Sequence, residues 1–235
     1  MDIENNKIVE TYDVDKFIFK DFFASHLELP SEELENLHKH YPDFTTKDIV
    51  SADNDQDQKI YKHLYKIDEG YSFDHNKNFS LNGFLDTYKK FVNLISKEYF
   101  NEELIYQKKP TLRVMFPNNV AVGGWHRDRE YNHPIESINI WVPITSARDT
   151  NTIWIESSFD VGDYSPANLD YGQFLFFDSG LKHGNQLNEE NKTRISFDFR
   201  VVPKSVFKDS QKTSFSQGLD LKLGKYYEET TAHSS

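Results

Sequence analysis

The chain has no cysteine. That excludes disulfides, thiolate metal sites and a cysteine nucleophile, so any bound metal must be held by His, Asp or Glu. Long apolar runs are also missing; none approaches the roughly 18 residues that a membrane-spanning helix needs. The start, MDIENNKIVE, is acidic and has no apolar h-region. No secretory signal is visible there, and a cytoplasmic location with no membrane partner is expected. Positive charge is scarce: the formal net charge is -11, with no long basic block. Nucleic-acid binders usually present a concentrated basic face, which disfavours nucleic acid as a partner. The sequence also lacks internal repeats and low-complexity segments, and it carries no signal of oligomeric state.

What is present fits one sizeable core. The length of 235 residues suits a single domain. Nineteen Phe and thirteen Tyr can fill a large β-type interior. Residues 1–108 read as mostly helical. DVDKFIFKDFFASHLE has apolar residues at helical spacing, and SEELENLHKHY opens with Ser31 as a predicted N-cap. IVSADNDQDQKIYKHLYKID reads as a loop leading into a short helix. In NFSLNGFLDTYKKFVNLISKEYF, Leu81, Phe84, Leu85, Tyr88, Phe91, Val92 and Ile95 form one apolar stripe, expected to pack on the core.

From residue 109 the rhythm changes to short segments rich in β-branched and aromatic residues: TLRVMF, ESINIWVPI, NTIWIES, GQFLFFD and TRISFDFRVV. Ile138, Ile140 and Val142 alternate with Asn139 and Trp141. Ile195, Phe197 and Phe199 alternate with Arg194, Ser196, Asp198 and Arg200. That is the pattern of an all-β sandwich or barrel. The fold class expected is α+β, mainly β: a rolled core over residues 109–203, a helical part before it and a polar tail over 204–235, frayed at its end.

Chemistry concentrates in GGWHRDREYNH, residues 123–133. On an extended strand, His126 and Asp128 project to the same face. Alone, the pair is weak; His26 and Glu28 have the same spacing on a helical segment, where such residues diverge. Downstream, GQFLFFDSGLKHGNQLN ends a strand with His183, and Arg194 follows eleven residues later. Two histidines and one carboxylate are the ligand types of the facial triad of non-haem Fe(II) oxygenases, which leaves three metal positions open. A guanidinium at Arg194 suits the distal carboxylate of a 2-oxoacid, with Ser196 adding a hydroxyl from the same strand face. Arg200 shares that face as a rival or second anion contact.

WHRDREYNHPIESINIWVPIT, NTIWIESS, FDSGLKHGN and TRISFDFRVVP together resemble the Fe(II)/2-oxoglutarate-dependent oxygenases. More narrowly, they resemble the phytanoyl-CoA-hydroxylase-like branch and its streptomycin-biosynthesis-type members. The resemblance covers about residues 109–203 and LGKYY near the end. It implies a double-stranded β-helix (jelly-roll, cupin-like) core. It implies His126, Asp128 and His183 as iron and catalytic residues, and Arg194 as the clamp for the co-substrate 2-oxoglutarate, with O2 as oxidant. It also implies hydroxylation or another oxidation rather than halogenation, because Asp128 retains the carboxylate that halogenating relatives lack. A small polar metabolite, such as a sugar, aminocyclitol or nucleotide-linked sugar, is the implied substrate.

Further site residues carry alternatives. Arg113 points into the barrel toward 2-oxoglutarate, or makes a structural ion pair. Asn139 lines the cofactor pocket and Trp141 the substrate pocket. Trp154, Glu156 and His133 touch substrate, or serve only structure. Trp125 is a core anchor or a pocket wall. Arg127, with Arg129 and Arg148, attracts an anionic substrate or pairs with nearby acids. Two other classes remain open: a cupin-like metal enzyme that does not use 2-oxoglutarate, and a non-catalytic jelly-roll that binds carbohydrate or a partner.

Overall fold

The computed structural model describes residues 7–42, 83–120, 124–214 and 218–231. The segment from Ile49 to Asp68, Leu81 and Gly123 lie outside the described residues. Among the described residues, three helices precede most of the strands: α1 (Phe19–Leu27), α2 (Leu37–His40) and α3 (Phe84–Ile95). Ten strands follow or flank them: β1 (Lys7–Thr11), β2 (Leu104–Gln107), β3 (Thr111–Met115), β4 (Ile138–Pro143), β5 (Ile153–Ile155), β6 (Ser165–Pro166), β7 (Gln173–Asp178), β8 (His183–Asn185), β9 (Arg194–Pro203) and β10 (Tyr227–Glu229). Among the described residues, no helix is long and apolar enough to cross a membrane.

The strands form a seven-stranded sheet in the order β1-β7-β4-β9-β2-β10, with β3 also on β9, and a three-stranded sheet β6-β5-β8. The fold is mainly β. Its spine is β9, which pairs antiparallel with β4 on one edge. Its other edge is shared: β3 pairs with Arg194–Asp198 and β2 with the stretch from Val201 to Pro203. A ten-residue strand held on both sides fixes the register of every side chain that it carries.

Period two divides the large sheet into two faces. Ile140, Val142, Phe174, Phe176, Ile195, Phe197 and Phe199 join a core with Phe19, Phe23, Phe84, Tyr88 and Phe91 from the helical side. Phe197 sits at its centre, with ring centroids 5.0 Å from Phe19 and 5.5 Å from Phe84. Burial of each such ring contributes about 1.5–3 kcal/mol. The opposite face presents Trp141, Leu175 and Phe177, which pack with Ile153, Ile155 and Leu181. One face is thus closed by helices, and the other faces the small sheet.

α3 carries the expected stripe from Phe84 onward, with Phe84, Tyr88, Phe91, Val92 and Ile95 all buried. It begins at Gly83, whose φ of 76° is open to glycine at little cost. The helical expectation for residues 1–108 needs correction elsewhere. β1 pairs with β7, and β2 lies between β9 and β10. α1 is confined to nine residues. Pro30, not Ser31, occupies the cap position, and Ser31 opens a 3-10 turn with no side-chain cap bond. The polar tail adds a strand, and its last residues, 232–235, lie outside the described residues. β10 pairs with β2, and Tyr226 and Tyr227 pack on Ile105 and Leu221.

Candidate metal centre

The two histidines meet through the backbone. His126 N–H donates to His183 O at 3.0 Å, and His183 N–H returns the bond to His126 O at 2.9 Å. Arg127 is extended, with φ −114° and ψ 133°, so His126 and Asp128 project to the same side. Asp128 then opens a 3-10 turn, Asp128–Tyr131. Ligand atoms of His126, Asp128 and His183 all lie within 4.8 Å of one another. His126 Nε2 is 3.7 Å from Asp128 Oδ1, and His183 Nε2 is 3.9 Å from Oδ2.

Tautomers follow from the hydrogen bonds. His126 Nδ1 is 2.6 Å from Gly124 O, and His183 Nδ1 is 3.0 Å from Leu181 O. A carbonyl can only accept, so each Nδ1 carries the proton and each Nε2 keeps a lone pair aimed at Asp128. Burial, reinforced by the neighbouring His126, lowers the His183 pKa to about 4. That keeps its imidazole neutral, the form that binds metal. Burial pushes the Asp128 carboxyl up, but the Arg200 guanidinium beside it outweighs that and holds the group well below its ordinary value. Asp128 is gripped from both sides: Asn139 Nδ2 donates to Oδ2 at 2.5 Å and Arg200 Nη2 to Oδ1 at 2.6 Å.

These residues line one end of a cleft of about 440 Å³, part of it open to solvent. Trp141, Ile153 and Phe177 supply apolar wall, and Arg113, Asp198 and Arg200 supply charge. Arg113 Nε donates to Asp198 Oδ1 at 2.8 Å, the ion-pair alternative for this residue, although it also faces the cleft. Arg194 is fully buried behind this wall. Its Nη1 donates to Asn185 Oδ1 at 2.7 Å and to Asn151 O at 3.1 Å, and its guanidinium lies 5.9 Å from the Trp141 ring centroid. Ser196 Oγ, Trp141 Nε1 and Asn139 Oδ1 are buried polar atoms with no hydrogen-bond partner among the described residues. Trp141 and Asn139 line the cleft, where such atoms fit a polar ligand; Ser196 is not among the lining residues.

Other expected site residues are not brought to this cleft. Trp154 alternates with the inward Ile153 and Ile155, and its Nε1 donates to Asp149 O at 2.9 Å. The buried Glu156 carboxylate accepts from Lys182 N–H at 2.5 Å and from Arg127 at 3.1 Å. Arg127 is drawn away from the cleft by that bond, by Asp160 and by the Phe159 ring. Arg129 and Arg148 likewise pair with Asp178 and Asp170. His133 is buried against the C-terminal tyrosines, with Nδ1 3.3 Å from Tyr227 Oη. Burial, aided by Arg200, lowers its pKa to about 3. Trp125 is neither core anchor nor cleft wall. It is 37% exposed and lies on Gly184, where an added Cβ would come within 2.7 Å of its ring.

Asp198, Phe177, Ile153 and Asn185 also line the cleft and were not singled out from the sequence. Period two on β9 was a usable signal for Asp198, which lies between Ser196 and Arg200. Phe177 faces the cleft because β7 places it opposite Asn139. That register is set by tertiary pairing. Arg200, the rival anion contact, also lines the cleft, and its guanidinium is engaged by Asp128, Gln107 and Tyr226.

Comparison with known proteins finds one similar sequence and several similar structures. The streptomycin biosynthesis protein StrG of Streptomyces griseus is 41% identical over 123 residues, which are 52% of this chain and 58% of StrG. The match therefore spans less than two thirds of StrG. No protein-family model matches the chain. The non-heme monooxygenase ThoJ, solved as a nickel complex, matches 52% of this chain and 50% of its own at 16% identity, with a TM-score of 0.40. The non-heme alpha ketoglutarate dependent carbocyclase SnoK of nogalamycin biosynthesis covers 96% of this chain and 92% of its own, with a TM-score of 0.51 and 12% identity. At that identity, the likeness to SnoK is one of fold.

Proposed function

We propose that this chain is a non-haem Fe(II)/2-oxoglutarate-dependent oxygenase, folded as one domain around a double-stranded β-helix, that oxidises a small polar metabolite. One observation carries the proposal. His126, Asp128 and His183 converge at one end of a cleft, and buried Arg194 lies behind its wall, with Ser196 Oγ and Trp141 Nε1, partnerless among the described residues, nearby. The donor set fits a ferrous ion, with two neutral imidazoles and one carboxylate. The Ser196 hydroxyl and the indole N–H beside a guanidinium fit the distal carboxylate of 2-oxoglutarate. SnoK supports the fold as one on which such chemistry sits, and the name of StrG supports a role in small-molecule biosynthesis.

Bound iron, with 2-oxoglutarate and O2, would supply oxidation of a C–H bond with release of succinate and CO2. The chain supplies the rest. Gly124 O and Leu181 O fix the imidazole tautomers, and Asn139 and Arg200 fix the carboxylate. Arg194 and Ser196 hold the far end of the co-substrate. Trp141, Ile153 and Phe177 keep water from the reacting end. Hydroxylation is the proposed outcome, in a cytoplasmic setting.

Adding Fe(II) and 2-oxoglutarate without oxygen should give a weak visible charge-transfer band. Admitting air should then release succinate, even without the primary substrate but slowly. His183→Ala should abolish both signals. Metal binding with neither band nor succinate would instead indicate a metal enzyme of another type.

A further inference from the structure

Arg200 is buried, and where it lines the cleft its guanidinium is spent on a metal ligand. Asp128 is 2% exposed, and a carboxylate buried that deeply needs a compensating cation. The imidazoles at 3.7 and 3.9 Å cannot provide it while their Nε2 lone pairs stay available. Arg113 is committed to Asp198 at 2.8 Å. Arg200, 2.6 Å from Asp128 Oδ1, is the cation in contact. It is braced from behind by Gln107 Oε1 at 3.1 Å and Tyr226 Oη at 3.5 Å, and Asp198 Oδ2 lies 3.8 Å away. A guanidinium held on so many sides is built to stay in place when an ion arrives.

We propose that Arg200 is the resident counter-cation of Asp128: it holds the buried carboxylate toward His126 and His183 in the metal-free protein, and it competes with the metal for that carboxylate's charge. The inference rests on Asp128 being a metal ligand. Two cations on one carboxylate repel each other, strongly so away from water. Arg200 therefore stabilises the empty site and weakens its hold on the ion. The ion and the guanidinium are partly interchangeable as compensation for Asp128. A purely structural arginine would affect folding and leave metal affinity alone.

The test uses the full chain and Mn(II) alone, read by titration calorimetry and by the metal-induced rise in Tm. Arg200→Met removes the charge and keeps much of the volume, and Arg200→Lys keeps the charge. Arg200→Met should bind Mn(II) at least tenfold more tightly than the unaltered chain. Its metal-free Tm should be lower and its metal-induced rise larger. Arg200→Lys should stay near the unaltered affinity. Equal or weaker binding by Arg200→Met overturns the proposal. If Arg200→Met does not fold alone, folding on addition of Mn(II) supports it, and failure to fold at saturating Mn(II) overturns it. Absence of Mn(II) binding by the unaltered chain would instead remove the metal centre itself, and this inference with it.

Discussion

Arg194 and Arg200 lie on one face of β9, six residues apart, and their surroundings give them different work. Arg200 is spent on Asp128. Arg194 keeps company with amide oxygens and an indole, and the nearby Ser196 hydroxyl has no partner among the described residues. A dianion brought there gains charge-assisted bonds worth about 1.5–3 kcal/mol each. Lysine keeps the charge and loses the planar fork. Arg194→Lys should therefore raise the KM for 2-oxoglutarate by roughly 10- to 100-fold, the rate equivalent of that energy. Ser196→Ala should raise it about fivefold, the equivalent of one neutral hydrogen bond. The readout is succinate formation against co-substrate concentration, with Mn(II) affinity unchanged in both variants. An unaltered KM in Arg194→Lys would remove Arg194 from the co-substrate site. At this scale the sequence was legible where type and spacing suffice, as for His126, Asp128 and His183. It was not legible where a partner decides: nothing in TRISFDFR says that Arg200 meets a carboxylate contributed from a distant turn.

Elements show the same division. The strands β3, β4, β7 and β9 were readable because short runs of β-branched and aromatic residues mark a strand, and β4, β7 and β9 are buried on both faces. β1 and β10 were not readable. KIVET and YEE are short, half polar and at the sheet's edges, where one neighbour supplies the pairing. The helical stripe of α3 was legible because its apolar spacing matches the face that it buries. That stripe meets β9 at Phe197, which is fully buried among Phe19, Phe84 and Tyr88. Phe197→Ala should cost about 3–5 kcal/mol, the range for a large ring removed from a closed core. Urea denaturation should show a lower midpoint with an unchanged slope. Phe197 faces the helical side and the cleft lies across the sheet, so the folded variant should still bind Mn(II). A loss below about 1 kcal/mol would mean that the helices do not close this face as tightly as the ring contacts imply.

Across the whole molecule, the metal centre places a pH demand on folding. Burial lowers the His183 pKa from the ordinary 6.5 to about 4, and that of His133 to about 3. In the unfolded chain both imidazoles take up protons near pH 6.5; in the folded chain they resist until much lower pH. Their contribution is therefore whole above pH 6.5 and is lost as pH falls toward the folded values. For His183 alone the loss is about 3 kcal/mol by pH 4, from 1.36 kcal/mol per unit. Asp128, also lowered, adds a loss in the same direction at still lower pH. The metal-free protein should thus lose Tm steadily between pH 7 and pH 4.5, and His133→Gln should flatten part of that slope. Mn(II) should raise Tm at pH 7 and lose its effect toward pH 4, as protons compete for Nε2 of His183. Calorimetric scans across this range, with and without Mn(II), test the coupling. A flat metal-free profile would mean that neither histidine is buried as a neutral ring, and the tautomers on which metal binding depends would lose their footing.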